Sequence, residues 1–257
     1  MRRRLVRGAA VLGIGCCVLL LGVYLWKSGQ RSMAAAQQSA CVGHLAYVSL
    51  ALHEYHQLYG RFPPAYIADK DGKPMHSWRM LVLETTGDPD ANAVFRAYRF
   101  DEPWDGPNNR KLADRMPRFY GCPVAEHAAG RPAPGKSLTN YVVVTGPGAV
   151  FRGGGAPSAS LSELDDNHRD TTVLAETVPG VPWMEPRDLE LDRMSLRLND
   201  PDRPSISSKY PSSANVVFLD GRIHRLLDSV SPEAVKAMIL AHPAAGNHTG
   251  APKEQGD

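Results

Sequence analysis

The sequence predicts an α+β fold in which a long N-terminal helix packs on a mostly antiparallel β-sheet. No proline interrupts residues 9–62, so one helix can run through them. β-branched runs at 141–145, 171–177 and 214–219 are typical of strands. The chain has 23 Gly and 21 Pro among its 257 residues, which favours many turns over a helical bundle.

The first 26 residues have the pattern of a membrane anchor. Residues 1–8 carry four arginines and predict a cytoplasmic basic head, and residues 9–26 carry no charge. As a helix, the uncharged segment would be about 27 Å long, close to the roughly 30 Å of a bilayer core. The arginines predict a single pass through the inner (cytoplasmic) membrane, with the C-terminal domain on the extracytoplasmic side. A cleaved secretory signal is the alternative, because small residues follow at 34–36.

Residues 27–60 predict an amphipathic helix that continues the span. Its apolar positions repeat at intervals of three and four residues, which places them on one helix face: Cys41, Leu45, Val48, Leu52, Tyr55 and Tyr59. Pro63 and Pro64 end the helix, since a residue before proline is driven out of the α region. We expect the apolar face to pack on the sheet.

The four cysteines fall into two groups. Cys16 and Cys17 lie in the predicted span, where a thiol behaves as a small apolar side chain. Cys41 and Cys122 lie outside it, in a compartment where disulfides can form. A bridge between them is our hypothesis, and two buried free thiols are the alternative.

The C-terminal part predicts a β-hairpin followed by a short helix. Asp220 and Gly221 separate two apolar runs, which favours a type I′ turn. Ser231 and Pro232 are typical of a helix start. Residues 242–257 contain Pro, Gly, Asn and Lys without an apolar pattern and predict a flexible tail.

Several stretches together resemble the DUF1559 family, prepilin-type proteins with an H-X9-DG motif near the C-terminus. They are LALHEYH at 50–56, YGRFPPAY at 59–66, DGKPMHSWR at 71–79, FDEPWDGPNN at 100–109, TNY at 139–141, VPW at 181–183, EPRD at 185–188 and NVVFLDG at 215–221. The resemblance implies a pseudopilin-like architecture, with residues 61–241 as the family's α+β domain. It implies no defined biochemical role.

The chain departs from this family pattern at two places. Tyr210 stands ten residues before Asp220 and Gly221, where the motif has histidine. Gly8 is followed by Ala9, Ala10 and further apolar residues without the glutamate of a prepilin processing site. We therefore expect neither a role for an imidazole at 210 nor assembly into a pilus-like fibre through such a glutamate.

One loop is rich in oxygen side chains. Asp101, Glu102, Asp105 and Asn108 could ligate Ca²⁺, which prefers oxygen donors. The same residue types are also what turns require. We expect no cofactor, with calcium at this loop as the alternative to a purely structural turn.

The sequence predicts a non-enzymatic protein. It has no Gly-x-Ser-x-Gly nucleophile elbow and no phosphate-binding glycine loop. The net charge of +2 gives no reason to expect a nucleic-acid partner. We expect a structural or assembly role in the cell envelope, with the membrane as a partner through residues 9–26 and envelope or secretion-apparatus proteins as further partners. A cell-surface module that binds a solute or protein is the alternative, and the sequence does not name its small-molecule ligand.

Overall fold

The computed structural model describes residues 2–125, 137–164, 169–210 and 212–240, with side chains placed from residue 19 onward. The predicted tail at 242–257 lies outside these residues. The chain divides into two units, Met1–Ala40 and Cys41–Asp257. The first unit is helical throughout its described residues, and the second contains the sheet.

Helix α1 runs from Arg2 to Tyr59, as the unbroken proline-free stretch predicts. Among residues with placed side chains, no helix has a stretch long and apolar enough to cross a membrane. The backbone of the predicted span 9–26 is helical, but the structure places side chains only from residue 19 onward. The structure therefore gives the membrane-spanning part of the fold prediction no support of its own.

The end of α1 follows from its glycine. Gly60 has a φ of 74°, a left-handed conformation that glycine adopts readily, and its N–H donates to the carbonyl of His56 at 2.8 Å. Within the second unit, Cys41, Leu45, Val48 and Leu52 are 0% exposed. The predicted apolar stripe is therefore part of the hydrophobic core from Cys41 to Leu52, and Tyr55 packs against that core partly buried. The prediction is wrong at Tyr59, which is 52% exposed beside the end of the helix.

The main sheet has four strands: β3 (Leu138–Val142), β5 (Thr172–Pro182), β7 (Ser213–Phe218) and β8 (Ile223–Leu227). Their order is β3-β5-β7-β8, and every neighbouring pair is antiparallel. The prediction of an α+β fold with a long N-terminal helix and an antiparallel sheet is confirmed. Strand β5 continues five residues beyond the predicted Thr177, because Val181 and Pro182 still pair with β3.

Both faces of this sheet are buried. Tyr141, Val173 and Val217 pack in one cluster with the α1 stripe. Val142 and Val216 pack on the other side with the C-terminal helix α4 (Pro232–Ile239). This two-sided burial explains why β7 has no exposed residue.

Short elements complete the second unit. They are β1 (Tyr66–Ala68), β2 (Pro74–Ser77), α2 (Trp78–Leu81), α3 (Pro89–Ala97), β4 (Val144–Thr145) and β6 (Leu189–Glu190). Strands β1 and β2 pair antiparallel, whereas β4 and β6 pair parallel. The parallel pair places residues 188–190 beside the end of β3.

The hairpin between β7 and β8 is present, but its turn differs from the predicted type I′. That turn needs positive φ at both central residues. Gly221 has a φ of 82°, whereas Asp220 is not among the described residues with positive φ. The Gly221 N–H donates to the carbonyl of Phe218, so the chain turns one residue earlier and uses Gly221 to rejoin the ladder.

Cys41 and Cys122 form a disulfide that joins α1 to the segment before β3. It closes a loop with a sequence separation of 81 residues. In the chain-entropy description, cross-linking a loop of this length removes about 4 to 5 kcal/mol of unfolded-state entropy. The bridge therefore fastens the helix to the head covalently.

Candidate functional site

A cleft of about 370 Å³ opens beside the second half of β5. We call it the β5 cleft. It is lined by β3, β5, the segment leading into β6 and the loop after it, through Val142, Thr177, Val178, Pro179, Gly180, Val181, Arg187, Asp188, Leu189, Asp200, Pro201, Asp202, Arg203 and Pro204. Its volume lies within the range of small-molecule sites.

Local chemistry fixes two parts of the β5 cleft lining. A Cβ on Gly180 would lie 2.6 Å from the carbonyl oxygen of Thr139, so only glycine allows β5 to approach β3 this closely. In another part of the lining, Asp200 uses both carboxylate oxygens inside its own loop. Oδ2 accepts from Ser195 at 2.6 Å, and Oδ1 accepts from the backbone N–H groups of Asp202 and Arg203.

Asp188 lies in the cleft lining with its side chain only 4% exposed. Its Oδ1 accepts from Arg79 Nη2 at 2.7 Å, from Val143 N at 3.0 Å and from Trp78 Nε1 at 3.2 Å. All of its hydrogen bonds within the described chain use Oδ1, so Oδ2 has no donor there. Burial raises the pKa of this carboxyl, against the opposing effect of Arg79.

Arg79 is 0% exposed and lies behind Asp188. Besides the ion pair, it donates to the carbonyl of Tyr141 at 3.0 and 3.2 Å and to Ser77 Oγ at 3.0 Å. Its guanidinium carbon lies 4.8 Å from the centroid of the Trp78 ring. These bonds join α2, β3 and the segment before β6, and hold the Asp188 carboxylate in one orientation.

The two arginines that line the β5 cleft are engaged elsewhere. Arg187 pairs with Glu185 at 3.1 Å, and Arg203 Nη2 donates to the carbonyls of Arg193 and Met194. The cleft therefore does not present an uncommitted guanidinium to an anion.

A second buried polar group lies between β5 and β7. Glu176 is 1% exposed, and its Oε2 accepts from the Asn215 backbone N–H at 2.8 Å. Within the described chain, Glu176 Oε1, Tyr210 Oη and Asn215 Nδ2 are buried without a hydrogen bond of normal geometry. Burial raises the pKa of Glu176 to about 7, and the Arg225 guanidinium carbon lies 5.3 Å from the Tyr210 ring centroid.

The family-motif residues Tyr210, Asp220 and Gly221 lie in two different environments. Tyr210 is 4% exposed and belongs to this buried group. Asp220 and Gly221 lie at the exposed hairpin turn, where Asp220 accepts from Arg222. The side chain of Tyr210 is thus packed in the protein interior, whereas Asp220 and Gly221 form an exposed turn.

Residues of the predicted calcium loop form hydrogen bonds within the loop itself. Glu102 accepts from the backbone N–H groups of Asn108 at 2.8 Å and Asn109 at 2.6 Å, and from the Asn108 side chain. Asp105 contributes its backbone carbonyl, to Arg110, and Asp101 is exposed. The described residues contain no group of three or more His, Cys, Asp or Glu side chains that could hold a metal ion. The structure gives these residues a turn-forming role, and calcium binding stays a prediction.

The histidines of α1 are packed against backbone groups. His44 Nδ1 lies 2.7 Å from the carbonyl of Gly121, and His53 Nε2 lies 2.8 Å from that of Leu219. His56 Nε2 accepts from the Leu161 N–H at 2.9 Å. Each one therefore links the helix to a different part of the head.

Sequence reasoning missed Arg79, Asp188 and Glu176 as chemically distinct positions. The signal that could have found Arg79 and Glu176 is a single charge inside an otherwise apolar run, in SWRMLVL at 77–83 and TTVLAET at 171–177. A charge in such a run is buried only when it is paired or hydrogen-bonded.

A family model described as a protein of unknown function (DUF1559) matches residues 30–173, from α1 to the start of β5. Neither the curated proteins nor the solved structures contain a match to the chain.

Proposed function

This chain belongs to the DUF1559 family, and from that premise we propose that it is a membrane-anchored, non-enzymatic envelope protein of pseudopilin-like type. Its head would face outward from the inner membrane, and its role would be structural or one of assembly with other envelope or secretion-apparatus proteins. Residues 9–26 would supply the anchor. Arginines at 2, 3, 4 and 7 would keep the head segment cytoplasmic.

The observation that carries this proposal is the use of α1 as the core of the head. The same helix that contains residues 9–26 buries Cys41, Leu45 and Val48 completely. The proposed anchor and the buried stripe thus belong to one helix, Arg2–Tyr59. We propose that this helix anchors and positions the head.

The disulfide supports the proposed side of the membrane. Such bridges persist in oxidising compartments and are rare in the cytosol. A bridge between Cys41 and Cys122 is therefore compatible with a head that faces away from the cytoplasm.

Membrane extraction tests the anchor. We expect the protein to stay with membranes after alkaline carbonate washing and to be released by detergent. A variant with Leu20→Arg and Leu21→Arg should move to the soluble fraction, because an arginine within a span costs up to about 2.5 to 3.5 kcal/mol, the value at the span's centre. A control with Gln37→Arg and Gln38→Arg adds the same charge outside residues 9–26 and should stay in the membrane. Release of the unaltered protein by carbonate would disprove the anchor.

Cysteine accessibility tests the sidedness. In intact cells, a cysteine placed at exposed Leu50 or Leu58 should react with a membrane-impermeant maleimide, whereas one placed at Arg3 should react only after lysis. The reverse pattern would contradict an outward-facing head.

The β5 cleft supports a second candidate function, a binding module for a small solute. Its volume and its buried, oriented carboxylate are features of a ligand site. A ligand that binds only the folded state raises the melting temperature as it saturates the site. A solute screen by thermal shift should therefore find stabilising compounds whose effect is lost when the cleft is blocked.

A further inference from the structure

One oxygen of the Asp188 carboxylate, Oδ2, accepts no hydrogen bond from the described residues. Three donors converge on Oδ1 at 2.7 to 3.2 Å, and no described group donates to Oδ2. The side chain is 96% buried, and its residue lines the β5 cleft. A carboxylate oxygen held this rigidly accepts best from a donor that enters the cleft, and O–H···O⁻ bonds are among the stronger hydrogen bonds.

The charges around the β5 cleft balance, so the site attracts neither an anion nor a cation strongly. Its lining carries Asp188, Asp200 and Asp202 against Arg187 and Arg203, and Arg79 lies behind Asp188. That makes three carboxylates and three guanidinium groups. The two lining guanidinium groups are bound to acceptors elsewhere, and both Asp200 oxygens are used within its loop. The Asp188 charge is compensated by Arg79, and Asp202 is exposed, so an uncharged donor suits Oδ2 without adding a further charge to the buried part of the cleft.

Most of the remaining lining is apolar, apart from Thr177, whose hydroxyl donates to the carbonyl of Ser205. Val142, Val181 and Leu189 are buried side chains that border the cleft. Prolines 179, 201 and 204 add ring faces whose backbones lose little freedom when a ligand binds. Such walls suit the C–H face of a compact ring.

We propose that the β5 cleft binds a neutral hydroxylated molecule of about the size of a monosaccharide, with one hydroxyl donating to Asp188 Oδ2 and a C–H face against the prolines. The volume of about 370 Å³ accommodates a single sugar ring and its hydration. This inference rests on the second candidate function and names its ligand class. It does not depend on the membrane anchor.

Ligand-observed NMR and titration calorimetry on the detergent-purified full chain test the proposal. The neutral probes are glucose, galactose, mannose and myo-inositol, and the charged probes are putrescine and citrate. We expect at least one neutral probe to bind and both charged probes to bind at least tenfold more weakly. The absence of binding by every neutral probe at millimolar concentration would overturn the proposal.

Two variants locate the binding. Asp188→Asn keeps the side-chain shape but replaces an acceptor oxygen, and it should lower the association constant at least tenfold. Pro201→Trp places a large ring at the exposed rim while leaving the Arg79–Asp188 pair intact, so it remains informative if Asp188→Asn fails to fold. Pro107→Trp, at an exposed loop proline that does not line the cleft, is the matched control and should bind as the unaltered protein does.

The outcomes separate the ligand class from the function on which it rests. Binding of only a charged probe, abolished by Pro201→Trp, would overturn the neutral ligand class and keep the cleft as a binding module. Neutral-probe binding that persists unchanged in both cleft variants would place the site elsewhere and overturn the inference.

Discussion

Folding buries the Glu176 carboxyl group in surroundings that disfavour its charged form. Its only hydrogen-bonded oxygen accepts from Asn215, and its other oxygen is buried without a partner in the described chain. Desolvation therefore outweighs the stabilising hydrogen bond and raises the pKa from 4.5 to about 7. The folded state binds this proton more tightly than the unfolded state does.

The pH dependence of stability follows from that difference. Below about pH 4.5 Glu176 is protonated in both states and its contribution is fully present; as the pH rises through about 7, that contribution is lost. The pKa difference corresponds to a loss on the order of 3 kcal/mol. We expect Glu176→Gln to reduce this fall in urea denaturation between pH 5 and 8, and exposed Glu190→Gln to leave it unchanged. An unaltered pH profile in Glu176→Gln would contradict the assigned cause.

The Arg79–Asp188 pair makes a different prediction at the same scale. Removing one partner of a buried pair leaves the other charge without compensation, at a cost of about 3 to 5 kcal/mol. We expect Arg79→Met to cost that much in urea denaturation, and the double variant with Asp188→Asn to cost less than the sum of the two single changes. Arg193→Met, in an exposed pair with Glu190, should cost at most about 1 kcal/mol. Additivity of the two buried changes would show that the pair is not coupled.

At the scale of elements, sequence patterns correctly predicted the helix face and the strands that depend on local interactions. The repeat from Cys41 to Leu52 predicted the buried face of α1, and β-branched runs predicted β5 and β7. The extension of β5 through Pro179 could not be predicted, because its pairing with β3 outweighs the turn preference of Pro and Gly. The β5 cleft could not be predicted either, because its lining comes from segments between residues 142 and 204 that meet only in the folded sheet.

Two glycines in open space allow the turn and helix preferences to be compared directly. Gly221 has a φ of 82°, whereas Gly43 lies inside α1, and a Cβ on either would meet nothing within 4 Å. Gly221→Ala should destabilise the protein by roughly 1 to 2 kcal/mol, because an L side chain disfavours left-handed backbone. Gly43→Ala should stabilise it by about 0.5 to 1 kcal/mol through a better helix propensity. Thermal denaturation of both variants measures the contrast, and equal effects would argue against the hairpin geometry.

The whole molecule has its described core in one of its two units. Residues 19–36 of α1 are exposed, and from residue 19 onward the first completely buried side chain is Cys41. The head depends on the stripe that begins there and on the bridge from Cys41 to Cys122. Fold stability and membrane attachment should therefore be separable by truncation.

We expect a chain that lacks residues 1–35 to fold with the melting temperature of the full chain, to keep the disulfide and to lose membrane association. A chain that lacks residues 1–47 serves as the comparison, because it removes Cys41 and Leu45 and with them the bridge and part of the core. Losing one buried leucine side chain alone costs about 2 to 5 kcal/mol, and the bridge adds a similar amount, which together approach the whole stability of a domain. Circular dichroism melting and non-reducing mass measurement check both chains. Unfolding of the shorter truncation would show that residues before the stripe stabilise the head, and cooperative folding of the longer one would show that α1 is not its structural centre.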